Sequence, residues 1–256
     1  MSEIIAVMNQ KGGCGKTTTV VNTATSLAVM GKSVLVIDMD PQGNATTSFG
    51  IDKTKLENTI YDAIIGDVSV KKVTIPTFIK NLFIVPSNIS LSGAGVELSK
   101  KENYHIVLKE TLNDLPPLFD YIFIDLPPSL GVITVNALVA ADSVLIPIQA
   151  EYYALEGLSQ LIHTIELVRD RLNKRLKIEG VVFTMYDART NLSLQVVENV
   201  KSYLNQNIYK TIIPRNVRLA EAPSHGLPIN LYDPRSSGAE SYDLLAEEVI
   251  ENGGEN

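Results

Sequence analysis

Short runs of β-branched and aliphatic residues recur along the chain, each followed by a stretch whose apolar positions fall three and four residues apart. The first pattern predicts strands over 4–8, 33–37, 82–85, 121–124, 143–148, 180–184 and 211–213, and the second predicts helices between them. The clearest helices are 16–30, closed by Gly31 just past its end, and 154–172, where Leu155, Leu158, Ile162, Ile165 and Leu172 form an apolar stripe that reads as core. An acidic segment, 241–251, predicts a last helix, with Gly253 and Gly254 fraying after it. Strands and helices in alternation predict an α/β fold, a mostly parallel, doubly wound sheet flanked by helices. With no low-complexity linker, internal repeat or break in composition, residues 1–256 are expected to form a single domain.

At 256 residues and 45% hydrophobic, the chain is long enough to bury a large core without staples. A single thiol, Cys14, excludes an internal disulfide and any multi-cysteine zinc or iron–sulfur site built from one chain, which reads as a cytosolic protein. Residues 1–13 hold Glu3 and only a five-residue apolar run, too short for a signal segment. The most apolar stretch, 131–150, is broken by Asn136, Asp142 and Pro147, so no bilayer span is expected.

The net charge of -7 is unevenly placed. Residues 169–218 hold ten basic side chains against four acidic ones, while both flanking regions are acidic. Such an island is either a polyanion-binding face inside an otherwise repelling surface or a set of solvated helix faces, and composition does not choose between them.

Asn9-Gln10-Lys11-Gly12-Gly13-Cys14-Gly15-Lys16-Thr17-Thr18 falls directly after the first predicted strand and at the start of the first predicted helix. That is the context of a phosphate-binding loop. Gly12, Gly13 and Gly15 let backbone N–H groups converge on one point, the helix N-terminus adds its positive dipole end, and Lys16 supplies a point charge for the β- and γ-phosphates. Thr17 would place its hydroxyl on Mg²⁺, with Thr18 beside it. A glycine-rich turn that merely joins strand to helix is the bland alternative. The loop also departs from the usual pattern: Gln10 stands where the first glycine belongs, and a second lysine, Lys11, precedes Gly12.

With that second lysine the loop resembles the deviant Walker A, or ParA/MinD, branch of P-loop NTPases. The resemblance implies two ATP molecules sandwiched between two subunits, with Lys11 crossing onto the partner's nucleotide as an arginine finger does elsewhere, and Gly12 leaving room for the approach. Asp38-Met39-Asp40-Pro41-Gln42-Gly43-Asn44 is similar to the family's switch I and Asp125-Leu126-Pro127-Pro128-Ser129 to its switch II. By the same resemblance Asp40 positions or polarises the attacking water, Asp38 supports that network, and Asp125 holds Mg²⁺ through a water molecule. An isolated aspartate after a strand is otherwise an ordinary helix cap or loop residue. Neither 173–176 nor 184–187 completes the Asn/Thr-Lys-x-Asp segment that reads guanine, which favours ATP; the resemblance further implies that the segment after the last predicted strand packs on the adenine through Pro214 and Asn216, Asn216 also reading as a helix cap.

Absences narrow the branch. The iron–sulfur members need cysteines that this chain lacks, and MinD-type members end in a basic amphipathic helix, whereas 246–252 is acidic. What remains resembles the short ParA proteins of the Soj type, with no helix-turn-helix segment before the P-loop strand. The likeness extends through 150–157, 184–192, 213–226 and 232–235. It implies an ATPase whose ATP-bound homodimer holds double-stranded DNA without reading its sequence, and whose ParB-type partner stimulates hydrolysis and release, in the service of chromosome or plasmid partition at the nucleoid in the cytoplasm and not on a membrane. The DNA contacts would be Arg189 and Arg218 first, then Arg215 and Lys210. Competing expectations are a MinD-like, membrane-associated positioning ATPase and a metabolic P-loop ATPase or ligase of the dethiobiotin-synthetase kind.

Overall fold

The computed structural model describes residues 2–151, 154–204 and 208–253. Eight strands form one sheet: β1 Glu3–Val7, β2 Val34–Asp38, β3 Ile75–Pro76, β4 Leu82–Val85, β5 Tyr121–Asp125, β6 Ser143–Gln149, β7 Lys177–Tyr186 and β8 Ile208–Pro214. Their order is β3-β4-β2-β5-β1-β6-β7-β8, parallel throughout except for the short β3–β4 pair.

Both faces of the sheet are buried, which explains why its strands read as continuous apolar runs. The period of two divides each strand between two cores. Ala6, Leu35, Ile37, Ile122, Ile124, Val144 and Ile146 face one way, under the helices Val132–Ala140, Ala154–Arg171 and Asn191–Tyr203. Ile5, Val7, Val34, Val36, Phe123 and Leu145 face the other, under Lys16–Val29 and Ser237–Gly253. This is the doubly wound α/β arrangement the alternation predicted.

The first helix stops as expected. Gly31 sits at φ +91°, its N–H bonds the Ala28 carbonyl, and the Lys32 N–H bonds that of Leu27, closing a Schellman motif. Other boundaries differ from the sequence reading. β7 begins at Lys177, before Gly180, because that glycine is a packing site in mid-strand: a Cβ there would lie 2.5 Å from the Tyr209 ring. β3 carries no apolar run and has a proline where an edge strand tolerates one. The last helix starts at Ser237, four residues before the acidic segment, where Ser236 Oγ accepts from the Ala239 N–H at 3.2 Å, and it includes Gly253, which was expected to fray. Leu172, assigned to the buried stripe, lies beyond the helix end and is exposed. The side chain of Leu155, together with Tyr152, Tyr153 and Gly254, lies outside the described residues. Among the described residues no helix is long and apolar enough to cross a membrane.

Candidate nucleotide site

The phosphate loop, both switch segments and the turn after β8 leave the sheet at the carboxyl ends of β1, β2, β5 and β8, the edge where open α/β sheets bind ligands. β1 lies between β5 and β6, so the loop emerges at mid-sheet. Gly13 and Gly15 hold φ values of +72° and +90°, a left-handed conformation that disfavours any side chain. The loop is pinned from neighbouring strands: Asn9 Nδ2 donates to the Pro147 carbonyl at 2.7 Å and Thr184 Oγ1 to the Cys14 carbonyl at 2.8 Å. Lys16 is buried, and its Nζ donates to the Lys11 carbonyl at 2.9 Å, holding the loop closed around its own ammonium.

Three carboxylates converge behind the loop. Asp38 and Asp125 are register partners at the ends of β2 and β5, and both are fully buried. Asp38 Oδ2 accepts from the Thr46 N–H at 2.8 Å and from Thr46 Oγ1 at 2.7 Å, and Oδ1 accepts from the Asp40 N–H at 3.1 Å. It therefore ties the Asn44–Ser48 helix to the strand end. Asp40 is also buried, and its Oδ1 caps the turn through the Gln42 N–H at 2.8 Å. Asp125 Oδ2 accepts from Thr17 Oγ1 at 2.8 Å, whereas its Oδ1 is buried with no hydrogen-bond partner. Burial raises the pKa of Asp125 well above the carboxylate range, with Asp38 and Asp40 adding like charge, and raises that of Asp38 to about 6 against the opposing bonds from Thr46.

An unpartnered carboxylate oxygen beside a threonine hydroxyl fits a hard cation. Among the described residues no group of three or more His, Cys, Asp or Glu is placed to ligate one. That donor set suits Mg²⁺, which is commonly held by one or two protein oxygens, by water and by substrate phosphates rather than by a protein cage.

The raised carboxylates also set a pH dependence. An acid whose folded pKa lies above its unfolded value of about 3.8 contributes most stability below 3.8 and loses it as pH rises to the folded value. Nucleotide-free protein is therefore expected to be more stable to urea at pH 5 than at pH 7.5, and Asp38→Asn to flatten that slope. Equal slopes in the two proteins would contradict the burial argument.

Two cavities open here. One, of about 330 Å³, is lined by the loop glycines, Lys16, Thr17, Asp40 and Gln42. The other, of about 360 Å³, is largely apolar and is lined by Ile213, Pro214, Asn216, Leu219 and Tyr242. They share Gly15, Thr18 and Met185, so a phosphate chamber adjoins an apolar slot. Met185 holds φ +51°, a strained conformation at the junction of the two. The Asn216 amide caps the Val217–Glu221 helix through the Arg218 N–H at 2.8 Å and donates to Ser237 Oγ at 3.0 Å.

Comparison with known proteins bears directly on this edge. A family model described as an AAA domain matches residues 2–178. The sporulation initiation inhibitor protein Soj of Bacillus subtilis is 56% identical over 253 residues, covering 99% of this chain and all of that one. The chromosome-partitioning ATPase Soj of Treponema pallidum is 46% identical over the full length of both. Among solved structures, cobyrinic acid a,c-diamide synthase from Mycobacterium smegmatis with bound ATP analogue and magnesium superposes with a TM-score of 0.88 at 34% identity, covering 99% of this chain and 96% of that one.

The chain belongs to the ParA/MinD superfamily of P-loop ATPases, in its Soj/ParA group. The lysine that marks this superfamily does not point into the phosphate chamber. Lys11 Nζ pairs instead with the Glu151 carboxylate just beyond β6, both half exposed. In this ParA-like chain the ten basic residues of the island do not form one face. Arg189, Arg215 and Arg218 gather at the nucleotide edge, beyond the ends of β7 and β8. Arg169, Arg171, Lys174, Arg175 and Lys177 lie at the start of β7, a ten-residue strand and hence roughly 30 Å away. Lys210 sits four residues before the end of β8, roughly 13 Å from the Arg215 turn, which separates it from the other three candidates.

Thr184, Met185, Glu151 and Tyr242 are the site residues that the sequence reading assigned no role. Tyr242 braces the P-loop helix through Thr19 Oγ1 at 3.3 Å. The one signal in the sequence was that Thr184 closes a predicted strand and Met185 follows it, where ligand-facing residues concentrate.

Proposed function

We propose that this protein is a Soj/ParA-type partitioning ATPase, with ATP and Mg²⁺ as cofactors, whose ATP-bound homodimer binds duplex DNA non-specifically at the nucleoid and is released when a ParB-type partner stimulates hydrolysis. Lys16, the loop N–H groups, Thr17 and Thr18 hold the triphosphate. Thr17 and, through water, Asp125 receive the Mg²⁺, which neutralises phosphate charge when bound. The slot at Pro214 and Asn216 takes the adenine. Asp40 orients the attacking water, and Lys11, once free of Glu151, reaches the other subunit's nucleotide. Arg189, Arg218 and Arg215 supply phosphate contacts on DNA, with Lys210 a more distant contributor. The whole of residues 1–256 acts as one ATPase domain.

The observation that carries this reading is Gly12. Its φ lies outside the left-handed region, and a Cβ there would meet nothing within 4 Å. The chain's own fold does not require a glycine at this position, which supports close approach of a group from outside the fold, either the nucleotide in the chamber that Gly12 lines or a partner's loop. The membrane-associated reading is disfavoured by the Ser237–Gly253 helix, whose apolar residues Tyr242, Leu245, Ala246 and Val249 are spent in the core. A small-molecule ligase is the second reading, favoured by the similarity to the synthase structure.

One assay separates them: co-sedimentation with non-specific duplex DNA and with anionic liposomes, each with ATP and with ADP, across a salt series. ATP-dependent, salt-sensitive retention on DNA is expected. Retention on liposomes, or on neither, would overturn the proposal. Lys16→Ala removes charge-assisted bonds worth about 1.5–3 kcal/mol each, so its ATP affinity in calorimetric titration is expected to fall by about 10- to 150-fold. Undiminished binding would remove Lys16 from the phosphate site.

A further inference from the structure

The two arginines first expected to contact DNA are already occupied by carboxylates of their own chain. Arg189 Nε and Nη2 donate to Asp187 Oδ1 and Oδ2 at 2.8 and 2.7 Å, a bidentate fork of the kind that recognises phosphate. Its side chain is otherwise 86% exposed. Arg218 repeats the pattern, with Nη1 2.9 Å from Glu221 and Nε 3.5 Å from Asp233. The Arg189 hydrogen bonds hold the Asp187 pKa down at about 2, with a smaller through-space contribution from Arg215, which forms no ion pair among the described residues. The Asp187 carboxylate thus lies among positive groups where a DNA phosphate would bind.

We propose that Asp187 is an internal surrogate for a DNA phosphate. Duplex must displace it from Arg189, so one subunit grips weakly and the doubled surface of the dimer is needed to hold on. This rests on the DNA-binding reading above and adds how that surface is restrained. The restraint is modest, because solvent screens exposed ion pairs and they contribute little to stability. Releasing it is expected to tighten binding by roughly 1.5- to 5-fold per subunit, or about 2- to 25-fold for the two copies in a dimer.

Asp187→Asn isolates the charge. The Asp187 backbone carbonyl keeps its bond from the Thr190 N–H, and an amide oxygen can still accept from the Arg189 N–H, so the turn is preserved. The experiment measures binding of a labelled non-specific duplex by fluorescence anisotropy, with a non-hydrolysable ATP analogue and with ADP. It compares the parent chain, Asp187→Asn, Arg189→Ala and the double variant. Asp187→Asn is expected to bind more tightly than the parent, with a gain also visible in ADP, and the double variant to match Arg189→Ala alone. If Asp187→Asn binds no better than a parent that itself binds duplex, or if the gain survives without Arg189, the surrogate role is wrong. If neither parent nor variant retains duplex at low salt, the DNA-binding reading fails first.

Discussion

Gly12→Val is expected to give a protein that folds, binds ATP as the parent does and stays a single subunit. The position has open space where a Cβ would go and no left-handed φ, so a side chain there is not expected to strain the loop. The contrast lies next door, at Gly13 and Gly15, whose positive φ values make any side chain strained, at roughly 1–2 kcal/mol each. Substitution there deforms the N–H cradle and weakens nucleotide binding directly. Valine at 12 puts no residue of the cradle into a left-handed conformation, and its added bulk is expected to block the close approach of a partner's loop that lets Lys11 cross. Catalysis by a positive group supplied in trans is worth about 10³–10⁵-fold, so hydrolysis is expected to fall by at least about 10³-fold. Light scattering after size-exclusion chromatography with ATP, calorimetric titration and phosphate release read the three properties separately. A dimer of normal affinity in the variant would defeat the sandwich arrangement.

How far the sequence announced this site depends on whether the signal was local. The glycines, Lys16 and Thr17 are legible because one loop must satisfy strand exit, phosphate cradle and helix start within ten residues, and few sequences do so. Asp38, Asp40 and Asp125 were legible as strand-end carboxylates, but their division of labour was not. It depends on Asp38 being consumed by Thr46 and Asp40, and on Asp125 keeping one oxygen free, which no spacing reveals. The pairing of Lys11 with Glu151 spans 140 residues and needed β1 and β6 to be known neighbours. The basic island misled in another way. Residues close in sequence lie at opposite ends of β7, since a strand carries the chain across the whole sheet, and Lys177 and Arg189 finish on different edges. The stop at Gly31 was legible because a Schellman motif is itself local, although the helix ends at Val29, one residue before the expected Met30, whereas the last helix starts four residues before its acidic segment, at the cap supplied by Ser236.

Asp40→Ala is expected to do the reverse of the glycine variant, forming the ATP-bound dimer and then failing to leave DNA. Asp40 is buried, lines the phosphate chamber with Lys16 and Thr17, and its backbone N–H is already held by Asp38. Removing its carboxylate costs the turn one bond, from the Gln42 N–H, while the Asn44–Ser48 helix stays anchored through Thr46 on Asp38. ATP contacts made by the loop and by Lys16 are untouched, so dimer formation and DNA binding should match the parent. What is lost is the group that would orient or deprotonate the attacking water, a contribution of about 10²–10⁴-fold, equivalent to roughly 2.7–5.5 kcal/mol on the barrier. Because release from DNA follows hydrolysis in the proposed cycle, the lifetime of the complex should lengthen by the same factor as single-turnover phosphate release slows. The two rates are measured independently, one by quenched flow and one by dissociation from a duplex-coated surface. Hydrolysis at the parent rate would strip Asp40 of its role. Slow hydrolysis with unchanged release would leave Asp40 in place but sever nucleotide turnover from the grip on DNA.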